Sequence, residues 1–276
     1  MARALQLAAR GCYAAHPNPM VGCVIASNDE IVGEGWHESA GEAHAEINAL
    51  REAGELARGA TAYVTLEPCA HHGKTPPCVD ALVDAGVARV VAAMRDPFGE
   101  VDGRGLARLE EAGVSTAVGL MEDQAVALNQ GFISRVTRGR PYVRLKVAAS
   151  IDGAIAMASG ESQWITGPEA RRDVQRLRAR SGAILTGIGT VLADDPSLNV
   201  RSADIDTRGR QPLRVVLDSR LQTPATARML KLPGETLVCC TPGNDATALR
   251  EAGAEVVEFS ADHGLVDAGA VLAELA

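Results

Sequence analysis

The chain has 276 residues and a formal net charge of −8, with 46% apolar and 22% charged residues. Only 3% of its residues are aromatic, so it offers no stacking platform for single-stranded nucleic acid, and its acidic balance argues against a polyanionic partner. No apolar run reaches the roughly 18 residues that span a bilayer, and the N-terminus lacks the apolar core of a signal peptide. We therefore expect a soluble, cytoplasmic protein of one or two domains that binds neither nucleic acid nor a membrane.

The first half of the chain alternates helical and strand-like patterns. Helical apolar spacing covers 1–15 and ends where Pro17 and Pro19 interrupt it, and a β-hairpin is predicted over 22–37. The later predicted elements are a helix over 43–57, a strand over 60–66, a helix from Pro77 to Gly86, a strand over 87–93, a helix over 103–113, a strand over 114–119 and a helix over 122–138. Strands alternating with helices predict an α/β domain, which we assign to residues 1–138.

A domain boundary is predicted near residues 138–141, where charge, Gly and Pro replace the helical pattern. Beyond it a second α/β alternation begins, which we assign to residues 139–276. Its predicted elements are strands over 142–148, 183–185, 213–218, 236–241 and 255–259, a turn over 150–153 and a last helix over 266–276. Thr166 and Glu169 form a Thr-x-x-Glu capping box, which predicts a helix from there to about Arg180.

Three potential metal ligands lie where these elements begin or end. His44 falls at the start of the helix over 43–57, Cys69 follows the strand over 60–66, and Cys78 lies in the first turn of the next helix. One imidazole and two thiolates are ligands that Zn²⁺ prefers, and three protein ligands leave a fourth tetrahedral position open for chemistry. The sequence therefore predicts a catalytic zinc site. The other cysteines lie in apolar surroundings and are interpreted as small buried side chains, without a disulfide framework.

Glu46 lies two residues after the histidine, close enough to such a metal to transfer protons. A His-x-Glu pair followed by Pro-Cys and a second Cys is the pattern of zinc-dependent nucleobase deaminases, in which the Glu is the general acid and base. Here the loop between Cys69 and Cys78 is longer than the usual Cys-x-x-Cys. A structural zinc with His72 as the fourth ligand is the alternative, but it leaves Glu46 without a role.

Further polar residues are expected around the same site. Asn18 stands between two prolines, which would present its amide rigidly to the edge of a base. His37, His71 and Lys74 would form a cationic pocket for a ligand phosphate. The alternative for these residues is a Pro-rich turn and solvated loops.

These motifs resemble those of a known family. The stretches that are similar to the deaminase half of the bifunctional deaminase/reductases of riboflavin biosynthesis are 16–22 (His-Pro-Asn-Pro-Met-Val-Gly), 41–46 (Gly-Glu-Ala-His-Ala-Glu) and 65–78, which begins Thr-Leu-Glu-Pro-Cys. The stretches that resemble the reductase half are 145–153, 159–166 and 190–198. The resemblance implies an α/β protein with an N-terminal cytidine-deaminase-like three-layer α/β/α domain and a C-terminal dihydrofolate-reductase-like α/β domain.

The resemblance implies two consecutive reactions, with Zn²⁺ and NADPH as cofactors. The first is the hydrolytic deamination of 2,5-diamino-6-ribosylamino-4(3H)-pyrimidinone 5′-phosphate, and the second is the NADPH-dependent reduction of its ribosyl chain to a ribityl chain. The NADPH-contacting positions that it implies are Ala148, Trp164, Thr190, Asp194 and Ser219. The reductase substrate positions that it implies are Lys146, Ser162, Arg178, Leu198 and Arg201.

The family's pattern extends further than this sequence does. Family reductases continue into a strand and a glycine-rich loop that are not found here up to Ala276, so we expect an incomplete reductase domain, an exposed sheet edge and impaired reduction. We also expect a homo-oligomer whose interface covers this edge. Two alternatives stay open: a zinc deaminase of another base or nucleotide with the second domain as a scaffold, and a zinc-stabilised binding module without catalysis.

Overall fold

The computed structural model describes residues 1–70, 76–99 and 102–276. These residues fall into two units, Met1–Tyr142 and Val143–Ala276, and each unit is built around its own β-sheet. Within the described ranges, none of the helices combines the length and the apolar character that crossing a bilayer requires.

The first unit contains a five-stranded mixed sheet. Its strands are β1 (Gly22–Ser27), β2 (Glu30–Trp36), β3 (Thr61–Val64), β4 (Arg89–Ala92) and β5 (Ser115–Val118), in the spatial order β2-β1-β3-β4-β5. Strands β1 and β2 form the predicted hairpin through Asn28 and Asp29, whose φ angles of 51° and 65° suit a two-residue turn. Because β3, β4 and β5 run parallel, their carboxyl ends meet at one edge of the sheet.

The α-helices of this unit, in the described ranges, are α1 (Ala2–Ala8), α2 (Ala45–Ala53), α3 (Cys78–Asp84), α4 (Arg104–Glu111), α5 (Glu122–Leu128) and α6 (Gln130–Arg138). Helix α2 packs closely against β2 because β2 carries two glycines. A Cβ atom on Gly33 would lie 2.3 Å from the carbonyl oxygen of Ala49, and one on Gly35 would lie 2.3 Å from that of Ala45. Since His44 directly precedes α2, this close packing helps to fix the position of one predicted ligand.

The helix predicted over 122–138 is wrong in one respect, because the structure divides it into α5 and α6 at Asn129. This residue has φ −111° and ψ 24°, and its side chain hydrogen-bonds to the distant Met20. The helix predicted over 1–15 is α-helical only as far as Ala8 and continues as a 3₁₀ turn over Ala9–Tyr13. The prediction missed the break at Asn129 because it accompanies a contact that is remote in the sequence.

The second unit contains a four-stranded parallel sheet with the order β6-β7-β8-β9. Its strands are β6 (Ala183–Gly187), β7 (Leu213–Leu217), β8 (Thr236–Cys240) and β9 (Glu255–Glu258), and a short hairpin pairs β10 (Ala261–Asp262) with β11 (Leu265–Val266). Its α-helices are α7 (Pro168–Ala179), α8 (Ile188–Asp194), α9 (Thr247–Glu251) and α10 (Ala268–Glu274).

Val216 and Val238 lie in one core cluster, while their neighbours Val215 and Leu237 lie in another. Both faces of the sheet are therefore covered, as is usual for parallel sheets.

The strand predicted over 142–148 is wrong. Among the described residues, no strand pairs with this segment, and Leu145 and Val147 are 87% and 60% exposed. An alternating apolar pattern indicates a strand only where a neighbouring strand satisfies the backbone groups, and that neighbour is not encoded locally. The segment over 143–167 contains no helix or strand, although the predicted turn is present, with the Gly153 N–H donating to the Ser150 carbonyl at 2.9 Å.

The capping box predicted at Thr166 and Glu169 is also wrong. Helix α7 begins at Pro168 with Gly167 as its N-cap, and no side chain caps it. Pro168 takes the first helical position, where a missing N–H leaves no hydrogen bond unmade. The last helix begins later than predicted, because the carboxylate of Asp267 accepts hydrogen bonds from the first N–H groups of α10 and so sets its start.

Candidate functional site

The three predicted metal ligands converge in the first unit. His44 is the N-cap of α2, Cys69 lies in the loop after β3, and Cys78 is the first residue of α3. Their potential ligand atoms all lie within 4.8 Å of one another. The His44 Nδ1 atom lies 3.2 Å from the Cys78 Sγ atom and 3.6 Å from the Cys69 Sγ atom. Two helix starts and one strand end thus surround a single point.

The chemistry of this donor set fits a zinc ion. The hydrogen bond between the two thiols lowers the pKa of Cys69 to about 4 and raises the pKa of Cys78, so the pair shares one proton. The Cys78 backbone N–H also donates to the Cys69 Sγ atom at 3.3 Å. A dication between the sulfurs would displace the shared proton, because metal ligands bind deprotonated. An imidazole and two thiolates are a ligand set that Zn²⁺ prefers.

Glu46 lies in the first turn of α2, beside the three ligands. Its side chain is buried, at 3% exposure. Burial, and to a lesser extent the negative charge of Cys69, raise the pKa of Glu46 to about 7. A carboxylate with a pKa near neutrality can both accept and return a proton, which is what a general acid and base requires.

Asn18 and His37 are joined by a hydrogen bond on the wall of the same site. The Asn18 Nδ2 atom lies 3.0 Å from the His37 Nε2 atom, and the His37 Nδ1 atom lies 3.2 Å from the Ala43 carbonyl oxygen. The amide N–H must donate to Nε2, so the ring carries its proton on Nδ1 and is neutral. Burial also lowers the pKa of His37. These partners favour the neutral ring over the predicted cationic one, and the contact of His37 with the substrate stays a prediction.

A cavity of about 280 Å³ opens between these groups and the helix α6. Asn18, His37, His44, Glu46 and Cys69 line one part of it, at the metal end. The residues that line it elsewhere include Phe98, Phe132, Arg135 and Val136. The size is close to the lower end for small-molecule sites. His71, Lys74 and His72, to which the sequence assigned substrate or ligand roles, lie outside the described residues.

Glu67 is a functional neighbour that sequence reasoning missed. Its buried carboxylate accepts hydrogen bonds from four backbone N–H groups: Asp96 at 3.2 Å and Gly103 at 3.0 Å through Oε2, and Gly105 at 2.9 Å and Leu106 at 3.3 Å through Oε1. A Cβ atom on Gly105 would lie 2.0 Å from the Pro68 carbonyl oxygen. The start of α4 therefore packs directly on the loop that carries Cys69. The sequence signal that could have identified Glu67 is a charged residue directly after a predicted buried strand, inside the Thr-Leu-Glu-Pro-Cys motif.

Arg135 and Asn129 were also missed. Arg135 lies in the last turn of α6 and shares a helical face with Phe132, three residues earlier, so both line the cavity. Asn129 joins the start of this helix to Met20. Neither residue belongs to a short motif, and only the packing of α6 against the site reveals them.

The residues assigned to NADPH in the second unit lie in two different settings. Thr190 and Asp194 are on α8, which directly follows β6, and Ser219 follows β7. Thr190, in the first turn of α8, and Ser219 lie near the carboxyl edge of the parallel sheet, where open α/β sheets bind ligands, whereas Asp194 is the last residue of α8. In contrast, Ala148 and Trp164 belong to the segment over 143–167, and Trp164 is 68% exposed, with the Arg171 guanidinium 4.4 Å from its ring centroid.

The residues assigned to the reductase substrate are similarly divided. Lys146 and Ser162 are exposed in the segment over 143–167. The Arg178 Nη1 atom of α7 donates to the Asn199 carbonyl at 3.0 Å, and burial together with the nearby charge of Arg201 lowers the pKa of Arg178. Leu198 is buried in the core of the unit, so its side chain packs inward and only its backbone is left for a ligand.

An imidazole, two thiolates and a buried carboxylate, at one edge of a layered α/β unit, define a zinc-dependent deaminase of the cytidine-deaminase type. Sequence comparison agrees: residues 1–94 match the family described as the cytidine and deoxycytidylate deaminase zinc-binding region, and residues 141–276 match the RibD C-terminal domain. The riboflavin biosynthesis protein RibD of Escherichia coli (strain K12) is 60% identical over 245 residues, which cover 86% of this chain and 67% of that protein.

Two solved structures have the same fold over the full chain. RibD of Acinetobacter baumannii (form 1) is 50% identical with a TM-score of 0.91, over 99% of this chain and 75% of that one. A diaminohydroxyphosphoribosylaminopyrimidine deaminase/5-amino-6-(5-phosphoribosylamino)uracil reductase from Thermotoga maritima is 35% identical with a TM-score of 0.87, over 100% of this chain and 76% of that one. The chain belongs to the RibD family of bifunctional riboflavin-biosynthesis enzymes.

This chain carries both parts of that family's enzymes, a zinc deaminase domain and a reductase domain that uses NADPH. The predicted family, fold class and cofactors are thereby confirmed. The alternative in which the second domain is only a scaffold is not favoured, because that domain matches the family's own C-terminal domain. The chain spans about two thirds of the length of the first curated relatives that it matches.

Proposed function

We propose that this chain deaminates 2,5-diamino-6-ribosylamino-4(3H)-pyrimidinone 5′-phosphate in its first unit, and that its second unit uses NADPH to reduce the ribosyl chain of the product. The observation that carries the deaminase is the convergence of His44, Cys69 and Cys78 within 4.8 Å of one another, beside the buried carboxylate of Glu46. The name of the Thermotoga maritima relative, which gives both activities, supports the choice of substrate.

The deamination follows from the groups that this site brings together. His44, Cys69 and Cys78 would hold the zinc ion, which when bound supplies a Lewis acid that makes water nucleophilic near neutral pH. Glu46 accepts a proton from the attacking water and delivers it to the ring nitrogen beside the carbon under attack, while the water oxygen bonds to that carbon. Glu46 then carries the hydroxyl proton to the amine, the carbon–nitrogen bond breaks, and ammonia leaves a carbonyl behind.

The cavity supports further roles in binding the substrate. Because the Asn18 amide donates to His37, its carbonyl oxygen is the group left to accept a hydrogen bond from the pyrimidine. Arg135 is a cation on the cavity wall, and we assign it to the phosphate, since a guanidinium binds phosphate oxygens in pairs. His71 and Lys74 are proposed as further phosphate partners from the sequence alone.

The second unit is proposed to hold NADPH and the deaminated product. We assign NADPH contacts to Ala148, Trp164, Thr190, Asp194 and Ser219, and substrate contacts to Lys146, Ser162, Arg178, Leu198 and Arg201. The position of Thr190 and Ser219 close after the ends of β6 and β7 supports the cofactor assignment. The exposure of the segment over 143–167 supports a further proposal, that reduction is the slower of the two activities in this chain.

We also propose that the chain forms a homo-oligomer in the cytoplasm. The support is the exposed apolar side chains of the segment over 143–167, among which Leu145 is 87% and Ile155 is 64% exposed. Contiguous exposed apolar surface is usually covered by a partner. Light scattering during size-exclusion chromatography measures the mass, and a monomer at the highest concentrations would contradict the proposal.

The deaminase is tested by zinc analysis of the purified chain together with ammonia release from the diaminopyrimidine phosphate. We expect stoichiometric zinc, and we expect Glu46→Gln to lower ammonia release by about 10³-fold with zinc retained. Glu55→Gln, which removes an exposed carboxylate just beyond α2, is the matched control and should change neither quantity. A zinc-loaded chain that releases no ammonia, or an active Glu46→Gln variant, would overturn the assignment.

A further inference from the structure

We propose that Asn129 is a positioning residue of the deaminase site, which holds two walls of the substrate cavity at a fixed separation. Its side chain is 3% exposed. Its Oδ1 atom accepts a hydrogen bond from the Met20 N–H at 2.8 Å, and its Nδ2 group donates to the Met20 carbonyl at 2.9 Å. The two bonds form a closed pair between residues 109 positions apart in the chain. The choice of substrate in the test below rests on the proposed function.

One end of this bridge is coupled to the residues that face the substrate. Met20 follows Asn18 by two residues, and Asn18 donates to the His37 Nε2 atom at 3.0 Å. The prolines on either side of Asn18 restrict the backbone of this segment, so a shift of Met20 is passed on to Asn18. The backbone is tied to the same histidine a second time, because the His37 N–H donates to the Val21 carbonyl at 2.9 Å. Asn18 and Val21 both line the cavity.

The other end of the bridge is the start of a second wall of the cavity, the helix α6. Helix α6 begins one residue after Asn129, and Phe132, Arg135 and Val136 of this helix line the cavity. An asparagine at this position would ordinarily cap its own helix by accepting a hydrogen bond from the N–H groups of the first turn. Here no side-chain cap bond is made, and the amide bonds to the backbone of Met20 instead. The local cap is given up for a contact between the two walls.

The geometry leads to a defined kinetic expectation. Without the Asn129 amide, the segment that carries Asn18 is no longer bonded to the start of the helix that carries Arg135. The metal ligands and Glu46 do not depend on this bridge and stay in place. We therefore expect Asn129→Ala to raise the KM for the diaminopyrimidine phosphate about 10-fold, a size consistent with the loss of a pair of buried hydrogen bonds. The kcat should change far less than KM, and the zinc content should stay the same.

A double-mutant cycle separates positioning from a merely structural role. If Asn129 acts through Asn18, then Asn129→Ala should raise KM much less in an Asn18→Ala background than in the wild type. A general loss of stability would instead raise KM by the same factor in both backgrounds. Hydrogen exchange of the peptide over 14–22 gives a readout that needs no activity, and exchange there should be faster in Asn129→Ala.

The second unit offers a matched control. The Gln211 side chain makes the same two-way bridge, accepting from the Val200 N–H at 2.9 Å and donating to the Val200 carbonyl at 3.1 Å. Gln211→Ala should leave the deaminase KM and the hydrogen exchange of residues 14–22 unchanged.

Should Asn129→Ala fail to fold, Asn129→Asp retains the acceptor for the Met20 N–H and should show a smaller rise in KM. An unchanged KM in a folded, zinc-loaded variant, or equal factors in the two backgrounds, would overturn the proposal. If the wild type released no ammonia, the proposed substrate would be wrong. The hydrogen-exchange measurement would still show whether Asn129 positions the segment that carries Asn18.

Discussion

The two units differ in how their functional residues are held. In the first unit, all three potential metal ligands lie where a helix begins or just after a strand, and their ligand atoms converge within 4.8 Å. In the second unit, the residues assigned to the reductase divide into two groups. Thr190 and Ser219 follow strands of the parallel sheet, whereas Lys146 and Trp164 belong to the segment over 143–167, which has neither helix nor strand.

Apolar packing alone does not explain this difference, because both units have buried apolar cores. What distinguishes the well-held loops is a buried polar side chain that bonds to their backbone. Glu67 does this beside Cys69, and Asp218 does it after β7, where its carboxylate accepts from the Gln222 and Thr223 N–H groups at 2.9 and 2.7 Å. Within the segment over 143–167, the bond from the Met157 N–H to the Glu161 carbonyl is local, and the Thr166 carbonyl accepts from the Arg171 side chain of α7, the next helix along the chain. A site residue is fixed where its loop is bonded to another part of the fold.

The largest expected effect tests this contrast between the units. With the deaminated product and NADPH, we expect reduction to be about 100-fold slower than deamination, because ordering a segment on binding consumes a few kcal/mol of interaction energy. The loss of NADPH absorbance is compared with ammonia release in the same preparation. Equal rates would contradict this expectation.

A stability control belongs to the same comparison. Leu145 is 87% exposed in the single chain, so Leu145→Ser should change the free energy of unfolding of a monomer by less than ~0.5 kcal/mol, whereas the loss should be larger in the proposed oligomer, where a partner covers this side chain. Leu82, which is fully buried in the first unit, should lose ~3 kcal/mol when it is replaced by alanine. If Leu145→Ser destabilised the chain as strongly as Leu82→Ala, its side chain would be covered in solution.

The next effect concerns the buried carboxylate in the first unit. Glu67→Gln keeps one acceptor oxygen but turns an NH₂ group towards two of the four backbone N–H donors. We expect a loss of ~2 kcal/mol in the unfolding free energy of this unit, since buried donors would be left unpaired. Scanning calorimetry measures it. Glu111→Gln, at the exposed end of α4, is the control, and an equal loss in both variants would rule out a special role for Glu67.

Much of the metal centre could be predicted from the sequence, because its signals are local. His44 and Cys78 mark helix starts and Cys69 follows a short buried strand, so their approach needs only the assignment of those elements and the parallel arrangement of strands. Glu46 follows from its place two residues after the histidine. The alternation of helices and strands also predicted both sheets.

The remainder depends on contacts that no local pattern encodes. The pattern over 142–148 alternates as a strand does, but no described strand lies beside it. Thr166 has the sequence of a helix cap, yet Pro168 allows the helix to begin after Gly167. The roles of Asn129 and Arg135 appear only when α6 is seen against the segment that carries Asn18. The charge of His37 also depends on remote partners, because its hydrogen bonds to Asn18 and to the Ala43 carbonyl favour the neutral ring.

The smallest expected effects compare one glycine from each unit. In the first unit, a Cβ atom on Gly35 would meet the Ala45 carbonyl oxygen at 2.3 Å and the Ala49 nitrogen at 2.5 Å, so α2 would have to move away from β2. Gly35→Ala should therefore lower the unfolding free energy by ~1–2 kcal/mol and weaken zinc retention, because the displaced helix begins beside His44.

In the second unit, Gly189 lies in α8 with nothing within 4 Å of the position of its Cβ atom. Gly189→Ala should stabilise the chain by ~0.5 kcal/mol, because alanine in a helix has less backbone freedom to lose on folding than glycine. Urea unfolding of both variants measures whether each substitution raises or lowers the unfolding free energy, and zinc analysis of the same samples measures zinc retention. Stabilisation by Gly35→Ala would mean that α2 does not depend on close contact with β2, and the metal ligand before it would then have to be held by the ion alone. If the Gly35→Ala variant were destabilised as expected but retained its zinc, Gly35 would be needed for folding alone. His44 would then be held in position by its contacts with the two cysteines.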